Sequence, residues 1–177
     1  MSPLFIIGYM ACGKTTFGRA LARATGRRLI DLDFFIEQRF HRTIPQIFTE
    51  RGEEGFRRLE TAMLQEVGEF DDVIIACGGG TPCFGDNLDY MLGRGTVLFL
   101  EASEGRIIER IIANSSRRPL MAGKKPDEIA EAVGEGLAAR MPFYRRAHIC
   151  FNGDRLEDRR QIDDTVRTFL EAHPELA

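Results

Sequence analysis

Residues 4–16 read LFIIGYMACGKTT: an apolar run, Leu4 to Ile7, breaks at Gly8, and five residues later comes Gly13-Lys14-Thr15. The spacing is the G-x-x-x-x-G-K-[ST] of a phosphate-binding loop. Glycine at positions 8 and 13 lets backbone N–H groups turn inward around phosphate oxygens, Lys14 supplies the charge, and the Thr15 hydroxyl suits magnesium. A glycine turn with a solvated lysine would share these letters. The context favours the loop, because an apolar run precedes it and Thr16 to Ala24 continues as a helix.

Outward from the loop, five short apolar runs recur: LFIIGY, RLIDLD, DVIIACG, TVLFLEA and AHICFNG. Each has the length of a strand buried on both faces. Helical stripes lie between them. Phe56, Leu59, Met63 and Val67 form one, Ile107, Ile108, Ile111 and Ile112 another after Ser103 as a cap, and Ile129, Val133 and Leu137 a third. This alternation predicts an α/β fold, a parallel sheet wrapped on both faces, with ligands beyond the carboxyl ends of the strands. Gly8 onward, Asp31 to Asp33 and Gly78 to Gly80 are then expected to converge.

With 177 residues, 44% of them apolar and 29% charged, the chain reads as one domain, 1–177. Its 24 Lys and Arg against 27 Asp and Glu leave a net charge of −3, which gives no whole-molecule attraction for nucleic acid or an anionic membrane. Any basic site is local. Cys12, Cys77, Cys83 and Cys150 have no C-x-x-C spacing and the histidines are scattered, so neither a disulfide framework nor a zinc site is suggested. A reducing, cytoplasmic setting fits, with no signal-peptide pattern and no apolar run approaching a membrane span.

Asp31 and Asp33, two apart at the end of RLIDLD, should point the same way from a strand. One carboxylate could contact hydrated magnesium while the other accepts a proton from a substrate hydroxyl; exposed strand-end acids are the plainer alternative. Arg57 and Glu60 share a helix face, either in the site or as a surface ion pair. CGGGTP, residues 77–82, allows close backbone approach to a ligand. Pro142 should interrupt the preceding helical pattern and present Arg140. Residues 113–128, ANSSRRPLMAGKKPDE, read either as a mobile loop over the site or as a surface loop. Cys12, near a helix start where negative charge is favoured, is either a reactive thiol or a small side chain beneath the loop.

Taken together, GYMACGKTT, DLD, FRRLE, GGG, RRPL and RMPFY, in this order and at these distances, resemble the shikimate kinases, small members of the nucleoside monophosphate kinase branch of phosphate-loop proteins. The resemblance covers nearly the whole chain. It implies transfer of the ATP γ-phosphate to the 3-hydroxyl of shikimate, on the route to aromatic amino acids. The fold implied is a five-stranded parallel sheet in order 2-3-1-4-5, flanked by helices, with a substrate-binding segment at 34–60 and a mobile lid at 113–128. A cytoplasmic monomer using ATP and Mg²⁺ is expected.

Carried over residue by residue, the resemblance gives Gly8, Ala11, Cys12, Gly13, Lys14, Thr15 and Thr16 to the nucleotide. Thr15 would bind the magnesium, and Asp31 would support it through water. Asp33 would hold the shikimate hydroxyls, Arg57 and Arg140 the carboxylate, and Gly79 and Gly80 the ring hydroxyls, with Glu60 orienting Arg57. Arg118 of the lid would reach the transferring phosphate. Arg110 would stack on adenine, and the last adenine contact falls within FNGDRLEDRR, residues 151–160, with Arg155 named for it. The family usually has glycine where this chain has Ala11. Two competing readings are a gluconate or other small-metabolite kinase, which has no reason to pair Arg57 with Arg140 around the DxD and GGG, and a non-catalytic ATP-binding switch, against which the complete set of candidate acid, metal and lid residues argues.

Overall fold

A computed structural model describes residues 1–113 and 125–177. In chain order the elements are β1 (Leu4–Ile7), α1 (Lys14–Thr25), β2 (Arg28–Asp31), α2 (Leu32–Phe40), α3 (Ile44–Gly68), β3 (Val73–Ala76) and α4 (Asn87–Arg94). Then follow β4 (Thr96–Glu101), α5 (Glu104–Ala113), α6 (Pro126–Tyr144), β5 (Ile149–Asn152) and α7 (Arg159–Ala172). The five strands are parallel in the order β2-β3-β1-β4-β5, as the resemblance implied. The first strand therefore lies at the centre, with Phe5 level with Ile75 on one side and Val97 on the other.

Central position decides burial. Every side chain of β1 and β3 is buried, whereas the edge strands β2 and β5 keep half-exposed or exposed side chains, because nothing pairs with their outer sides. Of the three helical stripes, Phe56, Leu59 and Val67 of α3, Ile107 and Ile111 of α5, and Ile129 and Val133 of α6 enter the core. Ile112 does not; it is 43% exposed, on the outward side of α5.

Two local features, the placement of Asp33 and the course of α6, depart from expectation. The second strand stops at Asp31, whose own side chain accepts from the Phe34 N–H and caps α2, so Asp33 stands in a helix and not on a strand. Helix α3 starts on a capping box, Thr43 with Gln46, and is broken at Gly52, whose φ of 67° and ψ of 178° are not helical. Helix α6 runs through Pro142 to Tyr144. The proline forfeits the one bond that its nitrogen would donate to the carbonyl of Ala138, and the helix ends two residues later. Of the segment 113–128 expected as a lid, Ala113 ends α5 and residues 126–128 open α6; residues 114–124, with Arg118, lie outside the described residues.

Candidate active site

The phosphate loop leaves β1 through Gly8, at φ 146°, and reaches Gly13, at φ 104°, the N-cap of α1. A glycine cap has no side chain to satisfy the first N–H groups of the helix, and those donors face the loop's concavity. Between the glycines Ala11 adopts φ 65°, the left-handed conformation for which the family's glycine is suited. Lys14 Nζ bonds the Gly8 and Tyr9 carbonyl oxygens at 2.8 and 2.9 Å. Cys12 is 0% exposed, so it packs beneath the loop and is not presented as an accessible thiol.

Beside the loop is a cavity of about 330 Å³ lined by Ala11, Gly13, Lys14, Thr15, Thr16, Arg110, Leu156 and Glu157. Arg110 closes one wall. Its guanidinium donates to the carbonyls of Cys12 (3.1 Å) and Asp154 (2.9 Å) and to Glu157 Oε1 (2.8 Å). It thus ties the loop to the segment after β5 by its edges. Arg155 is exposed and does not line this cavity, whereas its neighbour Leu156 is buried against Gly13. Leu156 and Glu157 carried no pattern in the sequence; their apolar and acidic characters gained meaning only from the turn that brings them there. A separate groove of about 440 Å³ between α1 and α7 contains none of the predicted site residues.

At the loop's other side the strand ends converge as expected. A Cβ added at Gly79 would lie 3.4 Å from Gly8 O and 3.5 Å from Arg140 Nη1, and one at Gly78 would lie 3.1 Å from both Asp33 Oδ1 and Glu60 Oε1. At Gly80 a Cβ would meet Arg57 Nη2 at 2.7 Å. The glycine run is therefore the space in which the two arginines and the acids approach. Tyr144, at the end of α6, fixes it by donating to Gly79 O at 2.6 Å while its ring stacks on Phe99.

Arg57 and Glu60 form no ordinary surface pair. Glu60 Oε2 accepts from Arg57 Nη1 at 2.8 Å and Oε1 accepts from the Thr81 hydroxyl at 2.7 Å, so both carboxylate oxygens are engaged. Phe84 lies against the guanidinium face, 4.1 Å from Cζ to ring centroid. Arg57 Nε is buried without a hydrogen-bond partner, an unmet donor in the cleft wall.

Asp31 and Asp33 divide in environment. Asp31 Oδ2 accepts from the Thr15 hydroxyl at 2.7 Å. Both are hard oxygen donors, the chemistry magnesium prefers. Among the described residues no group of three or more His, Cys, Asp or Glu side chains could cage a metal, but magnesium shared with phosphates needs only one or two protein oxygens. Asp33 is open to the cleft at its surface yet has protein crowded around it. Desolvation first, then the charges of Asp31 and Glu60, push its carboxyl up to about 6 despite the opposing Lys14.

Comparison with known proteins gives one consistent answer. The family model described as shikimate kinase matches residues 10–171. A shikimate kinase of Phocaeicola vulgatus is 49% identical over 94% of this chain and 95% of its own length, and one of Bacteroides thetaiotaomicron 46% identical over 97% and 98%. The crystal structure of shikimate kinase from Bacteroides thetaiotaomicron superposes with a TM-score of 0.94 at 45% identity, covering 97% of each chain. Shikimate kinase from Acinetobacter baumannii in complex with shikimate gives 0.85 at 30% identity, over 99% of this chain and 94% of that one. A gluconokinase from Sinorhizobium meliloti gives 0.56 at 15% identity over 99% and 97%, a likeness of fold alone.

Proposed function

The chain belongs to the shikimate kinase family, and on that premise we propose how its cleft moves the ATP γ-phosphate to the 3-hydroxyl of shikimate. One observation carries the reading: two arginines, an acid of raised pKa and a run of three glycines meet beside a phosphate loop. A small anionic alcohol fits that set, and among such alcohols the family selects shikimate.

In this reading Arg57 and Arg140 hold the carboxylate of shikimate, since a guanidinium fork pairs with a planar carboxylate. Glu60 and Thr81 keep Arg57 aimed. Gly79 and Gly80 admit the ring close to the backbone, and Asp33 takes the proton from the attacking hydroxyl as it ionises. Nucleotide phosphates occupy the loop, where Lys14 exchanges its two carbonyl partners for phosphate oxygens. Thr15 and Asp31 would hold Mg²⁺, which when bound neutralises charge on the phosphates. Leu156 and Glu157 wall the nucleotide side, with Arg110 bracing the loop. Arg118 and the lid, at 113–128, are assigned to the transferring phosphate.

Residues 1–177 would act as a single kinase domain, with 34–60 as its substrate-binding segment. A cytoplasmic monomer is the matching setting. No helix among the described residues is long and apolar enough to cross a membrane, and the exposed large apolar side chains among them are Met1 ahead of β1, Phe34 in α2 and Ile112 in α5. The direct test is ADP production with magnesium and ATP, with and without shikimate. Turnover that depends on shikimate supports the assignment; turnover with gluconate and none with shikimate overturns it.

A further inference from the structure

Tyr9 stands inside the phosphate loop yet its side chain serves the other substrate's side. Its ring lies under Arg140, 5.0 Å from Cζ to the ring centroid, and its hydroxyl faces Ala132 O at 3.4 Å in α6. Its own carbonyl accepts from Lys14 Nζ. The ring is buried, and α6 makes room for it at Gly136, where a methyl group would collide with the tyrosine hydroxyl. Glycine inside a helix lowers its stability, so this glycine answers a packing need that the ring creates.

We propose that Tyr9 is a positioning residue that couples the nucleotide loop to the arginine gripping the carboxylate of the acceptor. The aromatic face holds the Arg140 guanidinium by a cation–π contact in a partly desolvated place, and limits the rotamers it would otherwise sample. Because the same residue presents its carbonyl to Lys14, a shift of that lysine onto phosphate is felt one bond network away by Arg140. This coupling rests on the carboxylate role of Arg140 given above. It adds that the arginine is not autonomous: its aim is set from the phosphate loop.

The test compares Tyr9→Leu, Tyr9→Phe and Gly136→Ala by steady-state kinetics and by shikimate titration with and without ADP. Tyr9→Leu should raise the shikimate KM about tenfold, the size expected of losing such a contact, while kcat and the ATP KM change less than about threefold. Tyr9→Phe should restore the shikimate KM, since the ring carries the effect. Gly136→Ala, whose methyl group would crowd the ring out of place, should raise the same KM, a readout that a merely structural role would not move. In an Arg140→Ala background, Tyr9→Leu should add no further loss. An unchanged shikimate KM in folded Tyr9→Leu, or full additivity with Arg140→Ala, would overturn the proposal. Should Tyr9→Leu fail to fold, an unchanged KM in Gly136→Ala overturns it instead. If the wild-type enzyme makes no ADP with shikimate, the parent reading fails, an outcome separable from these.

Discussion

Arg57 Nη1 donates to Glu60 Oε2 over 2.8 Å, and the receiving carboxylate is 1% exposed while the arginine is 16% exposed. Such a pair costs more to break than to replace, because the survivor is left charged in a dry place. Glu60→Ala should therefore lose about 3–5 kcal/mol of stability in urea unfolding. Glu60→Gln, keeping the shape, should lose less stability but still weaken shikimate binding. A variant Glu60→Ala as stable as the parent would show that water reaches the pair.

Asp33 gives a pH prediction with two signs. For catalysis, ionisation makes the acceptor, so kcat/KM for shikimate should climb as pH rises through about 6. Asp33→Asn should erase that limb and cost about 10²–10⁴ in rate. For stability the direction reverses. A carboxyl raised in the fold favours its neutral form, so the stability it contributes is complete below the ordinary value of 3.8 and is lost as pH rises through about 6. Asp33→Asn should thus be more stable than the parent at pH 7 and equal to it below pH 4, by thermal melts across that range.

Opposite substitutions two positions apart should act oppositely. Ala11→Gly releases a left-handed alanine at φ 65° and should gain about 1 kcal/mol in denaturant unfolding. Gly13→Ala puts a Cβ 2.6 Å from Leu156 Cδ1 at φ 104°, and should lose both stability and nucleotide binding. Equal midpoints for the two variants would contradict this account of the loop.

The charged groups should separate by kinetic constant. Lys14→Ala should leave the circular dichroism spectrum unaltered and cost about 10²–10³ in kcat, as loss of a group that meets developing charge does. Arg140→Lys should instead raise the shikimate KM, because an ammonium cannot reproduce a two-pronged grip. Normal shikimate affinity in Arg140→Lys would remove the arginine from the carboxylate.

Thiol labelling should follow exposure. Cys150 is exposed and Cys83 half-buried, whereas Cys12 and Cys77 are buried. Peptide mapping after brief alkylation of the native enzyme should find Cys150 modified first and Cys12 only after unfolding. Rapid modification of Cys12 in the folded enzyme would mean that the loop opens readily.

The sheet and the phosphate loop were legible because their signals are local: apolar runs of strand length and glycines at fixed offsets. Asp33 was legible as a residue but not as a position. The letters DLD read as strand alternation until Asp31 turns back to cap Phe34, an event that depends on one side-chain hydrogen bond. Pro142 misled because a proline removes one helical donor without compelling the helix to stop before it, and α6 continues through it to Tyr144. Leu156 and Glu157 had no motif at all. What recruits them is the path of the chain after β5, and Arg110, 47 residues away from Glu157, holds that path.

The carboxylate of Asp31 is shared between two tasks, one oxygen receiving the Phe34 N–H and the other the Thr15 hydroxyl. Position 31 is consequently closed to gradual exploration. Serine or threonine, adequate at the start of a helix, would forfeit the charge beside Thr15, and glutamate, which keeps the charge, reaches too far to serve its own helix start. A substitution there must pass two independent filters at once, so an evolving or engineered enzyme of this kind has little freedom at this acid.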